Sequence, residues 1–215
     1  MMKTVKSILV PAVIFVLVVS SASAVEISAA GLKFGLNLAS LSKDEASLDL
    51  KSKTGFAAGG FVAFNLSKDI AVQAEILYMQ KGAKYDFNEQ GVVASYDFNF
   101  AYIEIPVLIK AYFPLQDSVV RPLFFFGPYV GFKAGAKTKY EITAYGETQS
   151  GEEDMVEVKS TDFGGIFGVG ADIKLGAGKI SLEARYGLSF TAFSSEDGAV
   201  SKHRAFSFLL GYSFF

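Results

Sequence analysis

The sequence predicts an all-β fold, a transmembrane up-and-down antiparallel β-barrel of about eight strands. Three observations predict it: an export signal at the N-terminus, alternation of bulky apolar with small or polar residues along the rest of the chain, and connections that switch between short and long.

The N-terminal segment is set apart first. Lys3 and Lys6 form a basic region, Ile8 to Val19 an apolar one, and Ala22-Ser23-Ala24 a small-residue cleavage motif. The apolar stretch is shorter than the ~20 residues of a spanning helix, and Pro11 interrupts it. Residues 1–24 are expected to be a cleaved signal peptide, and residues 25–215 one barrel domain of the bacterial outer membrane. The chain has no cysteine, which excludes a lipoprotein anchor, a disulfide framework and thiolate chemistry. Losing Lys3 and Lys6 takes the formal charge from −2 to −4, and no basic patch points to a nucleic-acid partner.

Alternation then marks the strands in order, because successive side chains of a strand point to opposite faces. The first segment sets Leu32, Phe34, Leu36 and Leu38 against Lys33, Gly35, Asn37 and Ala39. The second sets Phe56, Ala58, Val62, Phe64 and Leu66 against Gly55, Ala57, Gly59 and Asn65. In the third, Ile70, Val72, Ala74, Ile76 and Tyr78 oppose Gln73, Glu75 and Lys81, with Leu77 and Met79 as apolar exceptions. The fourth turns Ile103, Ile105, Val107 and Ile109 away from Glu104, Pro106 and Lys110.

The fifth carries Phe124, Phe126, Val130 and Phe132, the sixth Phe163, Phe167, Val169, Ala171 and Ile173, and their opposite faces are expected to be mostly glycine or small. The seventh places Ile180, Leu182, Ala184, Tyr186, Leu188 and Phe190 opposite Ser181, Glu183, Arg185, Gly187, Ser189 and Thr191. The last runs Phe206, Phe208, Leu210, Tyr212 and Phe214 against Ser207, Gly211 and Ser213. Pro106 and Pro128 each remove a ladder donor, which predicts bulges or membrane-edge positions there. Segments 65–69, 114–122 and 175–179 are the shorter connections; 42–54, 84–97, 137–161 and 194–204 are expected to be long polar loops. Short periplasmic turns and long outer loops then put both termini in the periplasm.

Residue volume decides which face meets lipid. A barrel of about eight strands has an interior just wide enough to fill with side chains. Phe, Tyr, Ile and Leu recur on one face of nearly every strand and exceed that volume, so the bulky face points outward and the small polar face lines a narrow lumen. The alternative is a soluble periplasmic barrel of lipocalin type binding a lipophilic ligand, with its apolar face inward. Tyr78, Tyr102, Tyr112, Tyr129, Tyr186 and Tyr212 are candidates for the interfacial aromatic girdles, about half of them being expected there.

The segments Gly31-Leu32-Lys33-Phe34-Gly35-Leu36-Asn37-Leu38, Gln73-Ala74-Glu75-Ile76-Leu77-Tyr78-Met79-Gln80-Lys81-Gly82 and Tyr102-Ile103-Glu104-Ile105-Pro106-Val107-Leu108-Ile109-Lys110 resemble the outer-membrane β-barrel domain family that includes PorT-like proteins. Gly127-Pro128-Tyr129-Val130-Gly131, Leu182-Glu183-Ala184-Arg185-Tyr186 and Leu210-Gly211-Tyr212-Ser213-Phe214 continue the likeness over nearly all of the mature chain. The resemblance implies an outer-membrane barrel and, for PorT-like members, an association with protein secretion. It also implies a C-terminal assembly signal, here Tyr212 and Phe214 in the outward phase with Phe215 following, read by the barrel assembly machinery.

Charges on the inward face need partners, since an unpaired buried charge costs several kcal/mol. Glu75, Glu104, Lys110, Glu183 and Arg185 are therefore expected to form a lumen charge network. No catalytic, cofactor or metal site emerges. His203 reads as a solvated loop histidine, Glu152-Glu153-Asp154 as a solvated acidic run, and Gly164 to Gly170 as a response to lumen crowding, since it lacks the lysine and helix of a phosphate loop. The expected function is that of a non-enzymatic barrel, in contact with outer-membrane lipid and with a plugged lumen and long surface loops, in envelope structure, surface contact or secretion support; an outer-membrane enzyme is the other alternative. The partner of the loops is not legible.

Overall fold

The computed structural model describes residues 26–43, 50–89, 91–113, 115, 118–155, 158–192 and 201–215. The expected signal peptide lies outside them. Nine strands form one antiparallel sheet: β1 (Ile27–Lys43), β2 (Leu50–Asn65), β3 (Ile70–Glu89), β4 (Val92–Tyr112), β5 (Val120–Ala144), β6 (Glu147–Asp154), β7 (Thr161–Leu175), β8 (Gly178–Ala192) and β9 (Ser201–Ser213). Eight of them close into a ring, because β9 pairs with β1 and β4 with β5. The ninth, β6, stands outside the ring and pairs only with the far half of β5, from Lys137 to Ala144. Closure is forced by the solvent: hydrocarbon offers no partner to an open strand edge.

The faces follow the alternation. Leu32, Phe34, Leu36, Ile76, Phe126, Phe167, Val169, Leu182 and Phe208 are all exposed, while Lys33, Asn37, Gln73, Glu75, Glu183 and Arg185 are buried inside the ring. A water-soluble protein has no use for an apolar belt repeated on every strand, whereas burial in acyl chains stabilises it. Three residues depart from the small-lumen expectation for β5 and β7, since Leu123, Phe125 and Ile166 point inward and pack with Leu108 and Tyr129. Leu77 and Met79 also point inward, against Ala57 and Leu209.

Several expectations need correction. Segments 84–97 and 137–161 are not loops for most of their length: β3 runs 20 residues, β4 21 and β5 25, against the ~10 that cross a membrane, and their ends form a sheet rising beyond the belt. The prolines cause no bulge. Register is the same on both sides of Pro106 and of Pro128, and the irregularity between β4 and β5 falls at Ala101/Tyr102. One missing donor is tolerated where neighbouring ladder bonds hold the strand. Of the six girdle candidates, Tyr212 is exposed and Tyr78 and Tyr186 lie half-buried on the outer face, whereas Tyr102 and Tyr129 are buried in the lumen. Tyr112 also faces inward and donates to Asp172 Oδ2 at 3.0 Å.

Candidate functional site

The lumen is filled by two layers of polar side chains. The layer nearer the short turns is built on strands far apart in sequence. Lys33 of β1 donates to Glu75 Oε1 of β3 at 2.8 Å and to both oxygens of Glu183 of β8 at 2.7 and 2.8 Å. Arg185, two residues along β8, holds Glu75 with two parallel bonds of 2.6 and 2.7 Å and donates from Nε to Glu183 Oε2 at 2.9 Å. Lys110 of β4 reaches Glu183 Oε1 and Gln73 Oε1, both at 2.9 Å.

Aromatic rings complete the cross-section. Phe61 of β2 lies 5.0 Å from the Lys33 ammonium and Phe125 of β5 lies 5.3 Å from the Arg185 guanidinium carbon. Glycine makes room on the two remaining strands. A Cβ on Gly211 of β9 would come within 3.1 Å of the Lys33 chain, and one on Gly168 of β7 within 2.5 Å of the Phe125 ring. Every strand of the ring thus contributes to this layer. Gly168→Ala would set its Cβ 2.3 Å from the Ala184 carbonyl oxygen as well as against the Phe125 ring, so both must shift at a cost of at least about 1–3 kcal/mol, the range for overpacking a filled interior; a urea titration read by gel mobility in lipid vesicles checks it.

The second layer lies toward the long connections. Lys81 pairs with Glu104 at 2.6 Å and Asp162 at 3.1 Å. Asp162 also accepts from Tyr129 Oη at 2.9 Å and from the Ser189 hydroxyl. The Lys81 ammonium sits 5.5 Å from the Tyr102 ring and 5.0 Å from that of Tyr129. His203, expected to be a solvated loop residue, is instead buried edge-on against Phe100 and Tyr102, with centroids 5.2 and 5.7 Å away. Its position on β9 puts it on the inward face, which an isolated histidine in a polar stretch does not reveal.

The structure therefore brings Glu75, Lys110, Glu183 and Arg185 together and places Glu104 in the other layer. The apolar group of Leu77, Met79, Ala57 and Leu209 lies between. The expected network left out Lys33, Lys81 and Asp162. Lys33 was legible, since it shares a face with Gly35 and Asn37; Asp162 stands at the very start of β7, where the alternation is too short to read. On the outer face, Tyr212 and Phe214 are exposed, and the Phe214 amide still pairs with the Ala30 carbonyl at 2.9 Å.

The sheet beyond the belt has two unlike faces. On the side continuous with the lumen, Tyr85, Tyr96 and Tyr140 stand directly opposite one another on β3, β4 and β5, and the Tyr140 ring covers Gly151 of β6. The other side carries Lys51–Asp86, Lys53–Asp97, Lys137–Glu152 and Lys139–Glu152 pairs. Hydrogen bonds from Lys137 and Lys139 hold the Glu152 carboxyl below its ordinary range. Lys51 and the Ser95 hydroxyl do the same for Asp86. Glu152 of the acidic run is thus tied into ion pairs, and the described residues include no cluster of metal-ligating side chains.

The sequence matches a family model described as outer membrane protein beta-barrel domain over residues 23–195. No curated protein matches it. Among solved structures the chain is similar to Ail, the attachment invasion locus protein of Yersinia pestis, at 16% identity and a TM-score of 0.41, over 87% of this chain and 98% of that one. It is also similar to Neisserial surface protein A at 13% identity and a TM-score of 0.45, over 86% of this chain and 97% of that one. A third similar structure is the outer membrane protease OmpT from Escherichia coli, at 10% identity and a TM-score of 0.34, over 89% of this chain and 98% of that one.

Proposed function

Because the chain belongs to the outer membrane protein beta-barrel domain family, we propose that it is a non-conducting, non-enzymatic barrel that carries the β3–β6 sheet at the cell surface as a contact surface. The observation that carries this reading is the pairing of a lumen layer built of side chains from six ring strands, with glycines of the other two making room, with a sheet that continues well beyond the apolar belt. Bonded carboxylates and ammonium groups with rings set against them across the section support a lumen closed to ions. The sheet, in contrast, carries β5 on past the ring to Ala144, with Lys137 to Ala144 paired to β6 through the Tyr145-Gly146 turn. Short turns, the start of β1 and the end of β9 at the opposite end support a periplasmic position for that end, reached after export and cleavage behind Ala24.

Catalysis finds little support in the lumen. Ser189, Asp162 and His203 are all buried, and the Ser189 hydroxyl is bonded to Asp162 and to the Thr191 carbonyl, so it has no free path to a substrate.

The chain has no native thiol, so Ser150→Cys on the exposed β6 gives one specific label. Intact cells treated with a membrane-impermeant maleimide should label this variant fully, and purified barrels in planar bilayers should give no stable open current. Labelling that requires permeabilised outer membranes would overturn the orientation, and steady large conductance would overturn the closed lumen.

A further inference from the structure

At the short-turn end the barrel opens into a cavity of about 390 Å³, within the size range of small-ligand pockets, about 300–1,000 Å³. Its charge is one-sided. Lys110, Arg121, Lys174 and Lys179 line it against the single carboxylate of Asp172. Lys110 is satisfied by Glu183 and Gln73, and Arg121 lies over the Tyr112 ring at 4.4 Å and donates to the Lys68 carbonyl at 2.8 Å.

Lys174 and Lys179 differ. They stand directly opposite each other across the β7–β8 hairpin, and no carboxylate of the described residues forms an ion pair with either. Like charges directly opposite on one sheet face are destabilising.

Asp172 supplies an independent observation. It is 8% exposed and spends Oδ2 on the Tyr112 hydroxyl, while Oδ1 is buried with no hydrogen-bond partner. A buried carboxylate oxygen without a donor carries a desolvation cost that a ligand donor would remove. The mouth therefore offers two adjacent ammonium groups for an anion and one acceptor for a hydroxyl.

We propose that this mouth binds a hydroxylated phosphate of the glycerol phosphate class, its phosphate held between Lys174 and Lys179 and a hydroxyl donating to Asp172 Oδ1. Charge-assisted bonds from both ammonium groups turn a mutual repulsion into shared attraction for one anion. The same chemistry exists in a soluble ester and in the headgroup of a glycerophospholipid. The assignment of this mouth to the periplasm rests on the orientation proposed above; binding to the purified barrel does not.

The test uses the folded full-length mature chain in phosphate-free maltoside micelles, titrated with sn-glycerol 3-phosphate and with inorganic phosphate while amide resonances of the β7–β8 turn are followed by NMR. The same resonances are compared in phosphatidylglycerol and phosphatidylcholine nanodiscs. Saturable shifts with the soluble ester identify a soluble ligand, and shifts confined to phosphatidylglycerol discs identify the headgroup. In either arm, Lys174→Ala combined with Lys179→Ala should weaken binding at least tenfold while leaving the unliganded barrel at least as stable in low salt, a result that a structural role for these lysines would not give. Asp172→Asn should erase the preference for glycerol phosphate over inorganic phosphate. No saturable shift in either arm, or binding that survives the double lysine substitution, overturns the proposal.

Discussion

Glu183→Gln is expected to lower the unfolding free energy of the barrel by about 3–5 kcal/mol, the cost of leaving a buried ion group short of one partner. Glu183 takes bonds from Lys33, Lys110 and Arg185; without its charge Glu75 would be left to hold Lys33 and Arg185, and Lys110 would keep only Gln73 as a bonded partner among the described residues. The isosteric amide keeps the volume, so the loss reports charge. Arg185→Met should cost less although Arg185 bonds both carboxylates, because Lys33 and Lys110 still balance Glu75 and Glu183. The double variant should be less damaging than the sum of the two, since each substitution removes part of the imbalance left by the other. Urea unfolding in lipid vesicles measures all three. Equal losses for the two single variants would show that packing, not charge balance, holds the layer.

The second large effect is on the outside. Val169 is 61% exposed near the middle of β7, with Phe124 and Ala184 as cross-strand neighbours. Val169→Arg should cost about 2–4 kcal/mol, the range for a basic residue at the bilayer midplane of such a barrel. Val93 is also exposed, but on β4 beyond the belt, and Val93→Arg should change stability by no more than about 0.5 kcal/mol, as a surface substitution in water does. The same vesicle assay separates the two. A neutral Val169→Arg would mean that water, not lipid, covers that face.

These two sites also divide what could be read from the chain. Val169 was legible because lipid imposes one demand on every strand, a bulky apolar residue at alternate positions, and that demand repeats in local sequence from Leu32 to Phe214. The protruding ends of β3, β4 and β5 were not legible as strands. Above the belt neither face meets lipid, so Lys84 to Asp97 and Lys137 to Asp154 alternate polar residues with scattered aromatics and look like loops. Tyr102 and Tyr129 misled for a related reason: a tyrosine suits the membrane interface and a crowded lumen alike, and only strand phase tells them apart.

By itself the sequence determined that a closed ring of about eight strands turns its large residues to lipid and its charges inward, because residue size, period and the lack of hydrogen-bonding partners in hydrocarbon are local or general constraints. Only the tertiary structure decided which charges meet. Lys33 and Glu183 are 150 residues apart. They meet because β9 lies between β1 and β8, while register sets Glu104 opposite Leu77, at the level of the apolar group, from where it reaches Lys81. Shear and closure fix such distances, and no stretch of chain short enough to read as a pattern contains them.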